Sequence, residues 1–195
     1  MPFSVELTHP FILCCLNIEE IMTDCFKLNT FLNNIEKQAL KSPDADKYKG
    51  DALELFTETL IKLSPIDKRL GIRDYKVVTT GDTGVDGHGI GFNDNPATVQ
   101  VKWRIATHIL TANEDHLSNF VMTSFLKFGV PVTDKENMLI VTTAKDIHHY
   151  TNDEMFCRQV RTVSRDHLRD MVDNNTPFWK LFRELWIEAK ENMIK

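Results

Sequence analysis

The chain has 195 residues, 42% of them hydrophobic, a size and composition suited to one globular α/β domain with a sizeable buried core. No run of 18 apolar residues occurs, and the amino terminus shows no basic stretch leading into an apolar run and a cleavage site, so a soluble, unexported protein is expected. A net charge of −5 argues against strong nonspecific binding to nucleic acid, and leaves only a locally positive surface for that purpose.

Residues 1–48 read as mainly helical. Ile18, Ile21, Met22, Cys25, Phe26, Phe31, Leu32 and Ile35 follow an intermittent 3.6-residue pattern that stops at the breaker Lys41-Ser42-Pro43-Asp44. A second helix opens at Lys49-Gly50-Asp51 and runs to about Leu63, with Leu53, Phe56, Leu60, Ile61 and Leu63 on its apolar stripe and Glu54 one turn in. Strands follow near Tyr75 to Thr79, Val85 to Phe92 and Ala97 to Trp103. Asn93-Asp94-Asn95-Pro96 supplies turn chemistry between the last two, which predicts an antiparallel hairpin.

Thr111 and Glu114 match a capping box for a helix carrying Leu117, Phe120, Val121, Phe125 and Phe128, ended by Gly129 and Pro131. Met138-Leu139-Ile140-Val141-Thr142-Thr143 reads as a strand buried on both faces. From residue 153 the pattern returns to helix. Phe178, Trp179, Leu181, Phe182, Leu185 and Trp186 form an aromatic stripe expected to pack in the core. Arg158, Arg161, Arg165 and Arg169 share the spacing of one helical face, either a phosphate-gripping stripe or a solvated face paired with Asp166 and Asp170. Cys14, Cys15, Cys25 and Cys157 lack Cys-x-x-Cys spacing and are expected to be reduced and mostly buried.

The chemistry concentrates between Gly84 and Lys102. Asp86 lies in the glycine-rich bend Gly84-Val85-Asp86-Gly87, and Gln100-Val101-Lys102 ends the strand that follows. Mg²⁺ takes oxygen ligands and keeps several waters, so Asp86, the Gln100 side-chain carbonyl and the Val101 backbone carbonyl form a suitable donor set. Alternation along a strand puts Gln100 and Lys102 on one face and Val101 on the other. Lys102 is thereby placed to orient a water and offset charge on a phosphate. An EF-hand reading of Asp82 to Asn93 fails because Gly84 and Asn93 occupy ligand positions, and the glycines from Gly87 lack dinucleotide-binding spacing. The chain holds no Walker A stretch, so an ATP-driven motor would lie beyond Lys195.

The order Gly50-x-x-x-Glu54-x-Phe56 on a helix, then Gly81-Asp82-x-Gly84-Val85-Asp86-Gly87, then Val99-Gln100-Val101-Lys102 resembles the Mrr-like branch of the PD-(D/E)XK nuclease superfamily. It also resembles nuclease domains that precede viral and phage superfamily II helicases. The resemblance covers residues 49 to 145. It implies a restriction-endonuclease-like α/β core (helix, three-strand antiparallel meander, helix, strand, in a mixed central sheet) with helical additions at both ends. The expected division is therefore 1–48, 49–150 and 151–195.

What the resemblance implies for the site is a metal-dependent deoxyribonuclease using Mg²⁺, with Mn²⁺ as a substitute. Asp86, Gln100, the Val101 carbonyl and Glu54 would hold the metal, and Lys102 would position water. It also implies DNA as partner, with a helicase or motor domain and a homodimer as further partners, no membrane, and a bacterial or virus-infected cytoplasm. Arg104, Lys145, His148 and His149 are candidate DNA contacts, while Asp82 and His88 flank Asp86 as turn and surface residues. Gln100 departs from an acidic residue, which predicts weak metal affinity. The alternative is a nuclease fold of little or no activity that recruits DNA for a partner.

Overall fold

The computed structural model describes residues 5–14, 17–79, 84–131, 134–148 and 160–194. Among these, the helices are α1 (Phe11–Cys14), α2 (Ile18–Met22), α3 (Leu28–Ala39), α4 (Ala45–Leu63), α5 (Leu117–Phe128), α6 (Arg165–Val172) and α7 (Thr176–Ile194). The strands are β1 (Ile72–Val77), β2 (Gly87–Gly91), β3 (Pro96–Lys102), β4 (Ile109–Leu110), β5 (Met138–Thr142), β6 (Asp146–Ile147) and β7 (Arg161–Val163). The fold is mixed α/β, with a five-stranded mixed sheet and helical amino- and carboxy-terminal parts. No described helix is long and apolar enough to cross a membrane.

Internal contacts divide the chain into two units, Met1–Leu63 with His167–Lys195, and Ser64–Asp166. The helix carrying Glu54 thus groups with the terminal helices, a different partition from 1–48, 49–150 and 151–195.

In the helical unit, α4 begins a turn earlier than expected because Asp44 caps it, its Oδ1 accepting the Lys47 N–H at 2.9 Å. The residue pair Ser42-Pro43 therefore introduces the helix through that cap. The helix stops at Leu63, two residues before Pro65, whose ring disfavours helical geometry just ahead of it. Burial continues most of the way round its second half, including Leu55, Thr57, Glu58 and Thr59. Phe31, Phe56, Phe178, Trp179, Phe182 and Trp186 pack ring to ring, with Phe182 and Trp186 centroids 4.7 Å apart. The expected aromatic stripe is core, except that Leu181 is exposed. Phe26 also lies exposed, against the helical pattern drawn for it. Cys25 is buried with its thiol donating to the Ile21 carbonyl, and burial pushes its pKa up to about 11; Cys14 is exposed. Cys15 and Cys157 lie outside the described residues.

In the sheet unit the strand order is β1-β2-β3-β5-β7. The hairpin predicted around Asn93 to Pro96 forms, with β2 and β3 antiparallel. Strand β1 starts three residues before the expected position. Its pairing with β2 slips between Arg73 and Lys76, where Asp74 adopts φ 52, so a bulge interrupts the ladder. Helix α5 carries the crossover from β3 to β5, which pair in parallel, and every residue of β5 is buried as expected. The Thr111 Oγ1 does accept the Glu114 N–H at 3.2 Å, but it shapes a turn; left-handed His116 separates that turn from the helix start.

The carboxy-terminal part is not all helical. Arg161–Val163 forms β7, parallel to β5, because Val160, Thr162 and Val163 supply β-branched residues beside an open sheet edge. The arginine stripe therefore does not exist as one helical face. Arg161 sits in a strand, Arg165 opens α6, and Arg158 lies outside the described residues.

Candidate functional site

Three hydrogen bonds join the bend before β2 to the end of β3. The Asp86 N–H donates to the Val99 carbonyl (2.9 Å), the Val101 N–H donates to Asp86 Oδ2 (2.6 Å), and the Gln100 Nε2 amide donates to the Gly84 carbonyl (2.9 Å). Gly84 turns the chain at φ 68, a conformation costly for residues with a Cβ. Gly87 is needed for space. A Cβ there would stand 2.1 Å from the Tyr75 hydroxyl, whose buried ring lies over the strand one residue after Asp86.

Gln100 is 2% exposed, and its Oε1 is buried without a hydrogen-bond donor among the described residues. Exchanging the two ends of the amide would set its oxygen against the Gly84 carbonyl oxygen, so the oxygen is the atom left over. Leaving such an acceptor unmet costs about 1–3 kcal/mol. A cation or a water removes that cost. The N–H and C=O of one extended residue point to the same side, so the Val101 carbonyl faces the side on which Asp86 holds its N–H. Asp86 and the two neutral residues Gln100 and Val101 are thus neighbours at the end of β3, and oxygen donors of this kind suit a hard, oxygen-seeking ion.

Lys102 is half-buried on the Gln100 face of β3. Its ammonium has no hydrogen bond or ion pair to a described residue, while its carbonyl is fixed by Thr142 Oγ1 (2.7 Å) and the Thr143 N–H (3.2 Å). The structure therefore brings Asp86, Gln100 and Val101 together with Lys102 on the same strand end.

Glu54 belongs to the helical unit, where its Oε2 lies 2.9 Å from His9 Nε2. His9 Nδ1 accepts the Phe11 N–H at 3.2 Å, so Nε2 carries the proton and Glu54 accepts it. One turn on, the fully buried Glu58 takes the Thr8 N–H and hydroxyl (both 2.8 Å), the His9 N–H (3.0 Å) and the Lys62 ammonium (2.6 Å). Sequence reasoning missed both His9 and Glu58. The i, i+4 ladder Glu54, Glu58, Lys62 was the available signal.

The proposed DNA contacts fare unevenly. Arg104 is engaged by Asp115, its Nε and Nη2 donating to Oδ1 at 2.7 and 2.6 Å, and His108 Nε2 lies 3.1 Å from the other oxygen. Burial raises the Asp115 carboxyl, but the Thr111 N–H, His108 and Arg104 outweigh it and hold the pKa below its ordinary value. Lys145 is exposed, and its N–H donates to the His108 carbonyl. His148 is half-buried, with its N–H on the Leu110 carbonyl at 2.8 Å. His149 and Asp82 lie outside the described residues. His88 is half-buried against Phe128, and burial, with Lys76 nearby, lowers its pKa. Among the described residues no three His, Cys, Asp or Glu side chains group to hold a metal. Comparison of the chain with protein-family models, curated proteins and solved structures gives no match.

Proposed function

We propose that the chain is a metal-dependent deoxyribonuclease that hydrolyses phosphodiester bonds. The buried, donor-free Oε1 of Gln100 beside Asp86 and the Val101 carbonyl carries this reading, because a hard cation completes that oxygen set. The connectivity supports it too: helix α4, the β1-β2-β3 meander, helix α5, then β5 parallel to β3, an order in keeping with what the nuclease resemblance implies.

Asp86, Gln100 and Val101 would hold Mg²⁺, which when bound supplies Lewis-acid polarisation of the phosphate. Lys102 orients the attacking water, favours its loss of a proton and offsets charge on the phosphate oxygens. Fixing the Lys102 carbonyl to β5 limits the motion of that ammonium to its own side chain.

Nicking of supercoiled plasmid is the direct test. Wild type cuts with Mg²⁺ or Mn²⁺ and not with EDTA, and Asp86→Ala and Lys102→Ala each stop cutting while keeping the wild-type circular dichroism spectrum. Cutting at the wild-type rate by either variant rejects these assignments. Glu54→Ala, run beside them, reports whether the helical unit contributes a ligand. A single carboxylate beside a neutral Gln100 favours a second reading, a DNA-binding module without activity; such a protein shifts DNA mobility with or without Mg²⁺ and never cuts.

A further inference from the structure

The three tryptophans are not equivalent. Trp179 and Trp186 are buried, and their indole N–H groups donate to the Val172 carbonyl (2.8 Å) and Thr59 Oγ1 (3.0 Å). Trp103 keeps part of its surface in solvent. Its indole makes no hydrogen bond or ring contact with a described residue. It directly follows Lys102 at the end of β3.

The main chain around Trp103 is held on both sides. The Lys102 carbonyl is bonded to Thr142 and Thr143, the Arg104 N–H donates to Thr143 Oγ1 at 2.7 Å, and the Trp103 carbonyl accepts Arg104 Nη1 at 2.7 Å. Asp115 anchors the guanidinium that closes this frame. A large ring on a fixed backbone loses little freedom when a flat partner stacks on it. Basic residues are tied to the same stretch of chain: the backbone N–H of exposed Lys145 donates to the His108 carbonyl in the loop after Trp103, and Arg165 Nη1 donates to the Thr143 carbonyl at 3.3 Å. An aromatic side chain next in sequence to a lysine without an ion-pair partner among the described residues, Lys102, and with the exposed Lys145 bonded through its backbone to the loop that follows, is a combination that grips an unpaired nucleic-acid strand, the cations taking phosphates and the ring taking a base. A paired base hides its face inside the duplex stack.

We propose that Trp103 is a base-stacking platform and that the strand entering the site is single-stranded, or unpaired over at least one nucleotide. This rests on the nuclease reading for its purpose, but its test does not need cleavage. In EDTA, a twelve-residue oligo(dT) is titrated into the full chain and tryptophan emission is read against the buried Trp179 and Trp186. Wild type is quenched, whereas Trp103→Phe retains affinity within about threefold by fluorescence anisotropy and loses the quenching. Trp103→Ala binds about tenfold more weakly. Oligo(U) in a parallel arm separates DNA from RNA as the source of the base.

No quenching of wild type, equal quenching by a blunt duplex of the same length, or undiminished binding by Trp103→Ala overturns the platform. The wild-type arms decide the matter even where a variant fails to fold. Quenching without any metal-dependent cutting sinks the nuclease reading and leaves the platform standing; cutting without quenching does the reverse.

Discussion

The Asp86 carboxylate accepts the Val101 backbone N–H at 2.6 Å, so the bend that carries the acid is tied to the strand that carries Gln100 and Lys102. Charge-assisted bonds of this kind are about twice as strong as neutral ones. The acid is thus held at the strand end.

Gln100→Glu should expose the nature of the site. The new carboxylate faces the Gly84 carbonyl in place of the amide N–H, which costs about 2 kcal/mol without metal. Mg²⁺ gains an anionic ligand in exchange, so the metal-induced rise in Tm is larger in the variant than in wild type. Scanning calorimetry with and without 10 mM Mg²⁺, a roughly saturating level for a weak oxygen site, makes the comparison. Equal shifts in both proteins count against residue 100 as a ligand.

Gly87→Ala should damage the same site sterically. A Cβ 2.1 Å from the Tyr75 hydroxyl forces either the ring or the strand to move, costing roughly 1–3 kcal/mol. Urea unfolding measures the loss. Adding Tyr75→Leu opens space and recovers part of it, whereas a change at Gly87 that costs nothing shows that the ring moves freely.

Asp115→Asn should loosen the loop after β3. Its charge holds Arg104 and the Thr111 N–H, and charged hydrogen bonds of this sort contribute about 1.5–3 kcal/mol. The folded pKa lies below the ordinary value of 3.8, so this stability is present above that value and is lost as pH falls through the folded pKa. Urea midpoints measured from pH 6 downward fall more steeply for wild type than for the variant below about pH 4. Parallel acid limbs would remove Asp115 from the account.

Glu58→Ala should release the segment ahead of α1. Thr8 and His9 lose their acceptor and the Lys62 ammonium is left half-buried, a change in the range of about 3–5 kcal/mol. Hydrogen exchange at the Thr8 and His9 amides accelerates first. Protection that persists at both would show the segment is held by other contacts.

Much of the frame was legible along the chain. The 3.6-residue stripes of α3 and α4, the Asn93 to Pro96 turn and the apolar run Met138 to Val141 of β5 each carry a local signal, and local signals survive without knowledge of neighbours. The alternation that puts Gln100 and Lys102 on one face of β3 is equally local. Where reading failed, a neighbour had intervened. The bulge at Asp74 shifted β1, and the open edge of β5 drew Arg161 into a strand although its spacing matched a helix.

The partners of charged groups were invisible for a related reason. Arg104 and Asp115 lie eleven residues apart and Glu58 takes donors some fifty residues away, so only the folded path decides that these ions meet. Sequence alone determined which side chains are the candidates for the proposed chemistry and the period on which they stand. Tertiary structure decided which of them remain exposed to a ligand, because a buried ion or amide is defined by the donors that surround it, and those come from distant parts of the chain.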